Sequence, residues 1–170
     1  MEDYTFIDLD GVILDSEERM LERKYNVGFT NHSDRHEYDK YFDYTLFHPD
    51  EWNFIIREAN SINDSVEIIK ELESLKKKLA ILTKIHTLYE MQVKTEDIRE
   101  HRGIKCPIIF VPPGVKKHQI ILPNKQLLID DSKKNIKGWI DNGGEGKVFN
   151  PTIVEDNETT VRSLEFLLRR

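Results

Sequence analysis

A chain of 170 residues is the size of one domain, so a single core with at most a small insertion is expected, and two full domains would be cramped. With 38% hydrophobic and 33% charged residues, a mean hydropathy of −0.56 and no apolar run near the about 18 residues of a spanning helix, it is neither a disordered tail nor a membrane protein. A net charge of −6 opposes binding to long nucleic acids but leaves a small phosphorylated ligand open. The opening Met1-Glu2-Asp3 lacks a basic region followed by an apolar run, so a soluble, cytoplasmic protein without a membrane partner is expected. Nothing in the composition sets the oligomeric state. The single Cys106 excludes an internal disulfide and a thiolate metal site, and it reads as a small hydrophobe placed just before a strand.

Residues 4 to 9 form a short β-prone run ending in the turn pair Asp10-Gly11. Similar runs follow at Leu79 to Leu82, Pro107 to Val111 and Gln126 to Ile129, with a weaker one at Lys147 to Asn150. Short, continuously apolar strands suit a parallel sheet buried on both faces. The segments between them read as helices. From Asn63 to Lys78, Val66, Ile69, Leu72 and Leu75 recur every third residue, Asn63 or Asp64 stands at the start, and Lys76-Lys77-Lys78 suits the negative end of the helix dipole. Thr87 to Arg102, Ser132 to Asn142 (with Ile136, Trp139 and Ile140 on one face and Gly143-Gly144 as its stop) and Glu158 to Arg169 complete the set. Alternating strands and helices predict an α/β fold, a Rossmann-like parallel sheet flanked by helices, with ligands at the carboxyl ends of the strands.

Residues 16 to 62 break the alternation and predict a small helical cap inserted after the first strand, leaving 1 to 15 and 63 to 170 as the core domain. The insert is rich in rings: Tyr38, Tyr41, Phe42, Tyr44, Phe47, Trp52 and Phe54 fall within 17 residues. Some must form the insert's own core, and others are candidates to stack on a flat ligand such as a nucleobase. His32 and His36 stand one helical turn apart with no acidic partner at metal-site spacing, and read as surface residues.

Four carboxylates fall at strand ends: Asp8 and Asp10 after the first strand, Asp130 and Asp131 after the fourth. Parallel strands bring such ends together, and like charges at that range repel unless a cation intervenes. A few carboxylates with no His or Cys cluster suit Mg²⁺ better than a softer metal.

These segments resemble the motifs of the haloacid dehalogenase superfamily. Phe6-Ile7-Asp8-Leu9-Asp10-Gly11-Val12 is similar to its first motif, Thr83 after Leu79-Ala80-Ile81-Leu82 to its second, Lys117 in Gly114-Val115-Lys116-Lys117 to its third, and Leu128-Ile129-Asp130-Asp131-Ser132 with Asn135 to its fourth. The short insert, with Trp139 and Gly143-Gly144 after the fourth motif, resembles more narrowly the 5'(3')-deoxyribonucleotidase-like phosphatases. The resemblance implies Asp8 as nucleophile, forming an aspartyl-phosphate, and Asp10 as general acid and base. It implies Mg²⁺ held by Asp8, the Asp10 backbone carbonyl and Asp130, with Asp131 behind them, and a phosphoryl group held by Thr83 and Lys117. Lys116 is adjacent and competes with Lys117 for the third motif.

The expected activity is a Mg²⁺-dependent phosphomonoesterase of a small phosphorylated metabolite, with nucleoside monophosphates the favoured class. The alternatives are a phosphotransferase or phosphomutase of the same fold and a non-catalytic regulatory module. A dehalogenase would have little use for Asp130-Asp131, and a phosphonatase would need a cap lysine, for which only Lys24 and Lys40 are available.

Overall fold

The structure, a computed structural model, describes residues 4 to 29 and 35 to 170; His32 and the side chains of His36 and Tyr38 lie outside the described residues. Six parallel strands form one sheet: β1 (Thr5–Ile7), β2 (Leu79–Lys84), β3 (Ile108–Val111), β4 (Leu127–Asp130), β5 (Glu145–Phe149) and β6 (Thr160–Val161), in the order β3-β2-β1-β4-β5-β6. The fold class is therefore the α/β parallel sheet flanked by helices that the alternation of runs predicts. β1 lies at the centre, paired to β2 through Ile7 and Ile81 and to β4 through Ile7 and Ile129.

Both faces of the sheet are covered, as the continuous apolar strands require. Ile7, Ile81, Leu127 and Ile129 join one buried cluster with Val66, Ile69 and Leu72 of α4 (Ser65–Ser74). Phe6, Ala80, Leu82 and Leu128 point the other way, into a cluster closed by Ile136 and Trp139 of α7 (Lys133–Asp141). Trp139 packs edge-on against Phe6 at 5.4 Å and donates its Nε1 hydrogen to the Gln126 carbonyl, so its polar atom is satisfied inside the core. Ser132 caps α7 by accepting from the Asn135 amide, and Gly143 leaves it with a φ of 88°.

Three helices occupy the insert: α1 (Ser16–Asn26), α2 (Arg35–Phe47) and α3 (Glu51–Arg57). Its two ends are tied together where it leaves and rejoins the sheet: Asp15 and Asn60 exchange backbone and side-chain hydrogen bonds, and the Ile62 amide donates to the Ile13 carbonyl. Met20, Tyr41, Trp52, Ile55 and Ile56 from this insert belong to the same buried cluster as Ile7 and Ile81. The helices thus share a core with the sheet they stand over.

Several boundaries differ from the sequence expectation. Helix α4 ends at Ser74, and Lys76 turns the chain with a φ of 58°, so Leu75 is exposed and Ile68 is buried in its stead. Asn63 and Asp64 both have positive φ, and neither side chain caps α4. Ile140 is half-exposed beside the buried Trp139. The helix expected over 158 to 169 is instead strand β6 followed by a 3-10 helix over Leu164–Arg169. The Asn157 carboxamide accepts from the Thr159 and Thr160 amides, and the Asp156 carboxylate accepts from the Arg162 amide. These local bonds hold the backbone out of a helix and deliver it to the free edge of β5. Between β2 and β3, Thr87 caps α5 (Leu88–Glu96), whose last turn widens over Asp97–His101. A four-residue helix, α6 (Lys117–Ile120), stands before β4. No helix among the described residues is long and apolar enough to cross a membrane.

Candidate active site

The register of β1 and β4 places Asp8, just past Ile7, beside Asp130, the last residue of β4. Between them stands Lys117, whose Nζ lies 2.7 Å from Asp8 Oδ2 and 2.6 Å from Asp130 Oδ2. All three side chains are buried. Lys116, the competing third-motif lysine, lies at the exposed N-terminus of α6 and makes its hydrogen bonds with Gln119. Asp130 also accepts from the Ser132 amide at 2.9 Å and from Asn135 Nδ2, which lies 3.0 and 3.1 Å from its two oxygens. Asp8 Oδ1 accepts from the Leu9 amide.

Asp131 joins the pair: one carboxylate oxygen each from Asp8, Asp130 and Asp131 all lie within 4.8 Å of one another. The first-motif glycine is what lets the turn come so close. Gly11 has a φ of 72°, and a Cβ there would stand 2.6 Å from Asp131 Oδ2.

The fold resists full ionisation of this cluster. Burial, with the charges of Asp130 and Asp10, raises the Asp8 carboxyl well above the usual carboxylate range in spite of Lys117. Burial and the charges of Asp130 and Glu17 push Asp131 up to about 7. Three carboxylate oxygens within 4.8 Å of one another, held from ionising by burial and by each other's charge, are the conditions that a hard divalent cation relieves. The residues present fit Mg²⁺.

Asp10 has a different set of partners. Its Oδ1 accepts from Ser16 Oγ at 2.6 Å, and its Oδ2 accepts from Lys94 Nζ at 2.6 Å and from Thr83 Oγ1 at 3.1 Å. Burial alone would raise this carboxyl, but the Lys94 charge and these hydrogen bonds outweigh it and hold Asp10 below its usual value. Its side chain does not belong to the Asp8, Asp130 and Asp131 cluster, so any part it takes in holding a metal falls to its backbone carbonyl. Thr83 is fully buried against Asp10 and is not among the residues lining the cleft above the carboxylates.

That cleft, of about 240 Å³, is lined by Asp8, Asp10 and Asp131, by Ser16, Glu17 and Met20 of α1, by Phe42 and Trp52 of the insert, and by Lys84, His86 and Glu90. The His86 ring stands 4.2 Å from Phe42 and lies within 9° of parallel to Trp52 at 6.1 Å. Of the other insert rings, Tyr41 is fully buried and Phe47 is 82% exposed. Lys24 is fully buried and Lys40 is exposed, and neither lines the cleft. Cys106 is remote in character as well, since burial and the Glu73 charge push its thiol up to about 12, the reverse of what a nucleophile needs.

No protein-family model matches the chain, and no curated protein matches it in sequence. Solved structures do. A hydrolase of this superfamily (family IA, variant 3) from Entamoeba histolytica superposes with a TM-score of 0.66 at 9% identity, over 97% of this chain and 95% of that one. YfnB from Bacillus subtilis, solved bound to magnesium, gives 0.63 at 17% identity over 98% and 97%. The D,D-heptose 1,7-bisphosphate phosphatase of Burkholderia thailandensis gives 0.53 at 13% identity over 98% and 99%.

The fold is that of the haloacid dehalogenase superfamily. Dehalogenases are among the similar structures too, so the fold does not by itself choose between carbon–halogen and phosphoester chemistry.

Within this haloacid dehalogenase fold, several residues of the site carry no mark in the sequence. Lys94 and Glu90 on α5 form a buried pair at 2.8 Å, and His86 donates its amide hydrogen to Glu90 Oε2 at 2.6 Å. A Glu and a Lys four residues apart on a helix ordinarily read as a solvated surface pair. Their one distinguishing signal is position: Thr87 caps α5 directly after the second-motif strand, which aims the first turns of the helix at the carboxyl end of the sheet.

Proposed function

We propose that the chain is a Mg²⁺-dependent phosphomonoesterase that works through an aspartyl-phosphate on a small phosphorylated metabolite. The observation that carries this reading is the buried Asp8–Lys117–Asp130 arrangement with Asp131 beside it, at the mouth of a cleft. A divalent ion held by Asp8, Asp130 and Asp131 would draw charge from a phosphoryl oxygen. A dehalogenase has no call for such a set of oxygen donors.

Asp8 is the nucleophile in this reading. Its Oδ2 is held by Lys117, and the same ammonium is placed to meet a phosphoryl oxygen beside it. Attack by Asp8 on phosphorus breaks the bond to the leaving oxygen, which takes a proton from Asp10. Water then attacks the aspartyl-phosphate, gives its proton to Asp10, and releases phosphate with Asp8 restored. The ionised Asp10 of the resting site suits the second half of this cycle. For the first half it must take up a proton, and the negative charge of an arriving phosphate favours that uptake.

Nucleoside monophosphates are the favoured substrates, supported by Phe42, Trp52 and His86, which line the same cleft as the carboxylates and would offer a ring face to a base, a contact worth about 1 to 3 kcal/mol. The test is release of phosphate from p-nitrophenyl phosphate and from a panel of phosphorylated metabolites, with Mg²⁺ and with EDTA. Many turnovers without an acceptor support a phosphatase over a mutase, and no turnover of any compound in Mg²⁺ defeats the enzymatic reading.

A further inference from the structure

We propose that Lys94, on core helix α5 and outside all four motifs, is the positioning residue that fixes the Asp10 carboxylate for proton transfer; this rests on the phosphatase reading above. Lys94 is 1% exposed. An ammonium is stripped of water at a cost of several kcal/mol unless partners replace it, so a lysine there is specified by what it touches. Its Nζ meets Asp10 Oδ2 at 2.6 Å, Glu90 Oε1 at 2.8 Å and the Lys84 carbonyl at 2.9 Å, which accounts for its three hydrogens. It makes no contact with Asp8, Asp130 or Asp131, and it is not among the cleft-lining residues.

The geometry of Asp10 shows what this ammonium does. A carboxylate anchored at one oxygen turns about its χ2, whereas Asp10 is anchored at both: Oδ1 by Ser16 and Oδ2 by Lys94, with Thr83 adding a longer bond at 3.1 Å. Ser16 opens the insert helix and Lys94 belongs to the core, so the two anchors come from opposite sides. Glu90, which itself lines the cleft, supplies the second charge that holds the Lys94 ammonium in place. Removing the Lys94 ammonium leaves Oδ2 only the longer Thr83 bond, whose single hydroxyl hydrogen also has the Lys84 carbonyl within reach at 3.3 Å, and sets the Glu90 carboxylate against Asp10 with no cation between. An acid or base out of place by about 1 Å transfers its proton poorly, while nucleophile and metal ligands are untouched.

The test compares leaving groups. p-Nitrophenolate departs without a proton, whereas an alkoxide needs one, so kcat/KM for an alkyl monophosphate reports Asp10 and kcat/KM for p-nitrophenyl phosphate reports it far less. Lys94→Met should lower the first about 10- to 100-fold, less than the about 10² to 10⁴ of losing an acid/base outright, and the second by a clearly smaller factor. Because the single variant leaves the buried Glu90 carboxylate without its lysine, Lys94→Met/Glu90→Gln is made alongside it to keep the fold. A double-mutant cycle with Asp10→Asn decides the route: if Lys94 acts through Asp10, Lys94→Met subtracts little from a protein already carrying Asp10→Asn. Equal losses with both leaving groups, or losses that multiply in the Asp10→Asn background, overturn the proposal. So does wild-type kcat/KM in the folded double variant. If the wild type itself fails to hydrolyse p-nitrophenyl phosphate in Mg²⁺, the phosphatase reading is what has failed, and this proposal goes with it.

Discussion

Asp8 and Asp130, from neighbouring strands, share the single ammonium of Lys117 at 2.7 and 2.6 Å, so one buried positive charge serves two buried carboxylates. The arrangement is one cation short, and this imbalance makes the site sensitive to each of its members.

Lys117→Met removes that shared charge and leaves two desolvated carboxylates opposed. Breaking one side of a buried ion pair typically costs about 3 to 5 kcal/mol, so the variant should melt well below the wild type and lose hydrolysis. Mg²⁺ should restore part of the lost melting temperature, because it supplies positive charge at the same oxygens. Thermal unfolding with and without the ion measures this.

Asp8→Asn should abolish turnover, since the amide is close to isosteric but a poor nucleophile. Stability should move the other way. Burial raises the Asp8 carboxyl, which means the fold disfavours its charged form, and Asn removes that charge while Asp130 keeps Lys117 paired. The metal-free variant should melt at or above the wild-type temperature. A clear fall, or more than a few per cent residual activity with deamidation excluded by mass spectrometry, contradicts the role assigned to Asp8.

The same electrostatics set a pH dependence. Asp131 is pushed up to about 7 in the folded chain from about 4 when unfolded, so between those values the native state binds the extra proton. Stability of the metal-free protein should therefore fall as pH rises through about 4 to 7 and level off above it. The Mg²⁺-induced rise in melting temperature should grow over the same window, because protons and the ion compete for the cluster. Asp131→Asn should flatten both trends, read by unfolding at pH 5, 6, 7 and 8 with and without Mg²⁺.

How much of this was legible in the sequence depends on whether a residue's role was local. The five longer strands are visible because burial on both faces forces unbroken apolar runs, and the strand-end carboxylates follow from them. Strand β6, with two residues and only Val161 buried, leaves no such trace; its position is set by the Asn157 and Asp156 side-chain bonds before it. Lys94 was invisible for the opposite reason. Its partner Asp10 is 84 residues away, and sequence spacing alone pairs it with Glu90 as a solvated surface couple. The aromatic cluster announced itself by composition, but only the structure sorts its rings, placing Tyr41 in the core, Phe42 and Trp52 at the cleft, and Phe47 in solvent.

That sorting makes the cap rings separable by experiment. Tyr41 is fully buried, with its hydroxyl 3.3 Å from Glu51 Oε2, so Tyr41→Leu should lower the melting temperature by the usual mechanisms of core truncation and a lost buried hydrogen bond. Phe47→Leu, at a site 82% exposed, should change stability by no more than about 0.5 kcal/mol and leave KM alone. Phe42→Leu is the informative variant, because Phe42 is half-buried against His86 at the cleft and the nucleophile is held by other residues. If a base stacks there, losing about 1 to 3 kcal/mol of stacking raises KM for the best nucleoside monophosphate about 5- to 150-fold. p-Nitrophenyl phosphate, with a smaller ring and no sugar to carry it upward, should lose much less. The comparison is made on variants whose unfolding curves show the cap intact, since its core is shared with the sheet and a collapsed cap would raise KM indirectly. A folded Phe42→Leu protein with wild-type KM for every nucleotide tried would assign the ring to packing and remove the main physical support for a nucleotide substrate.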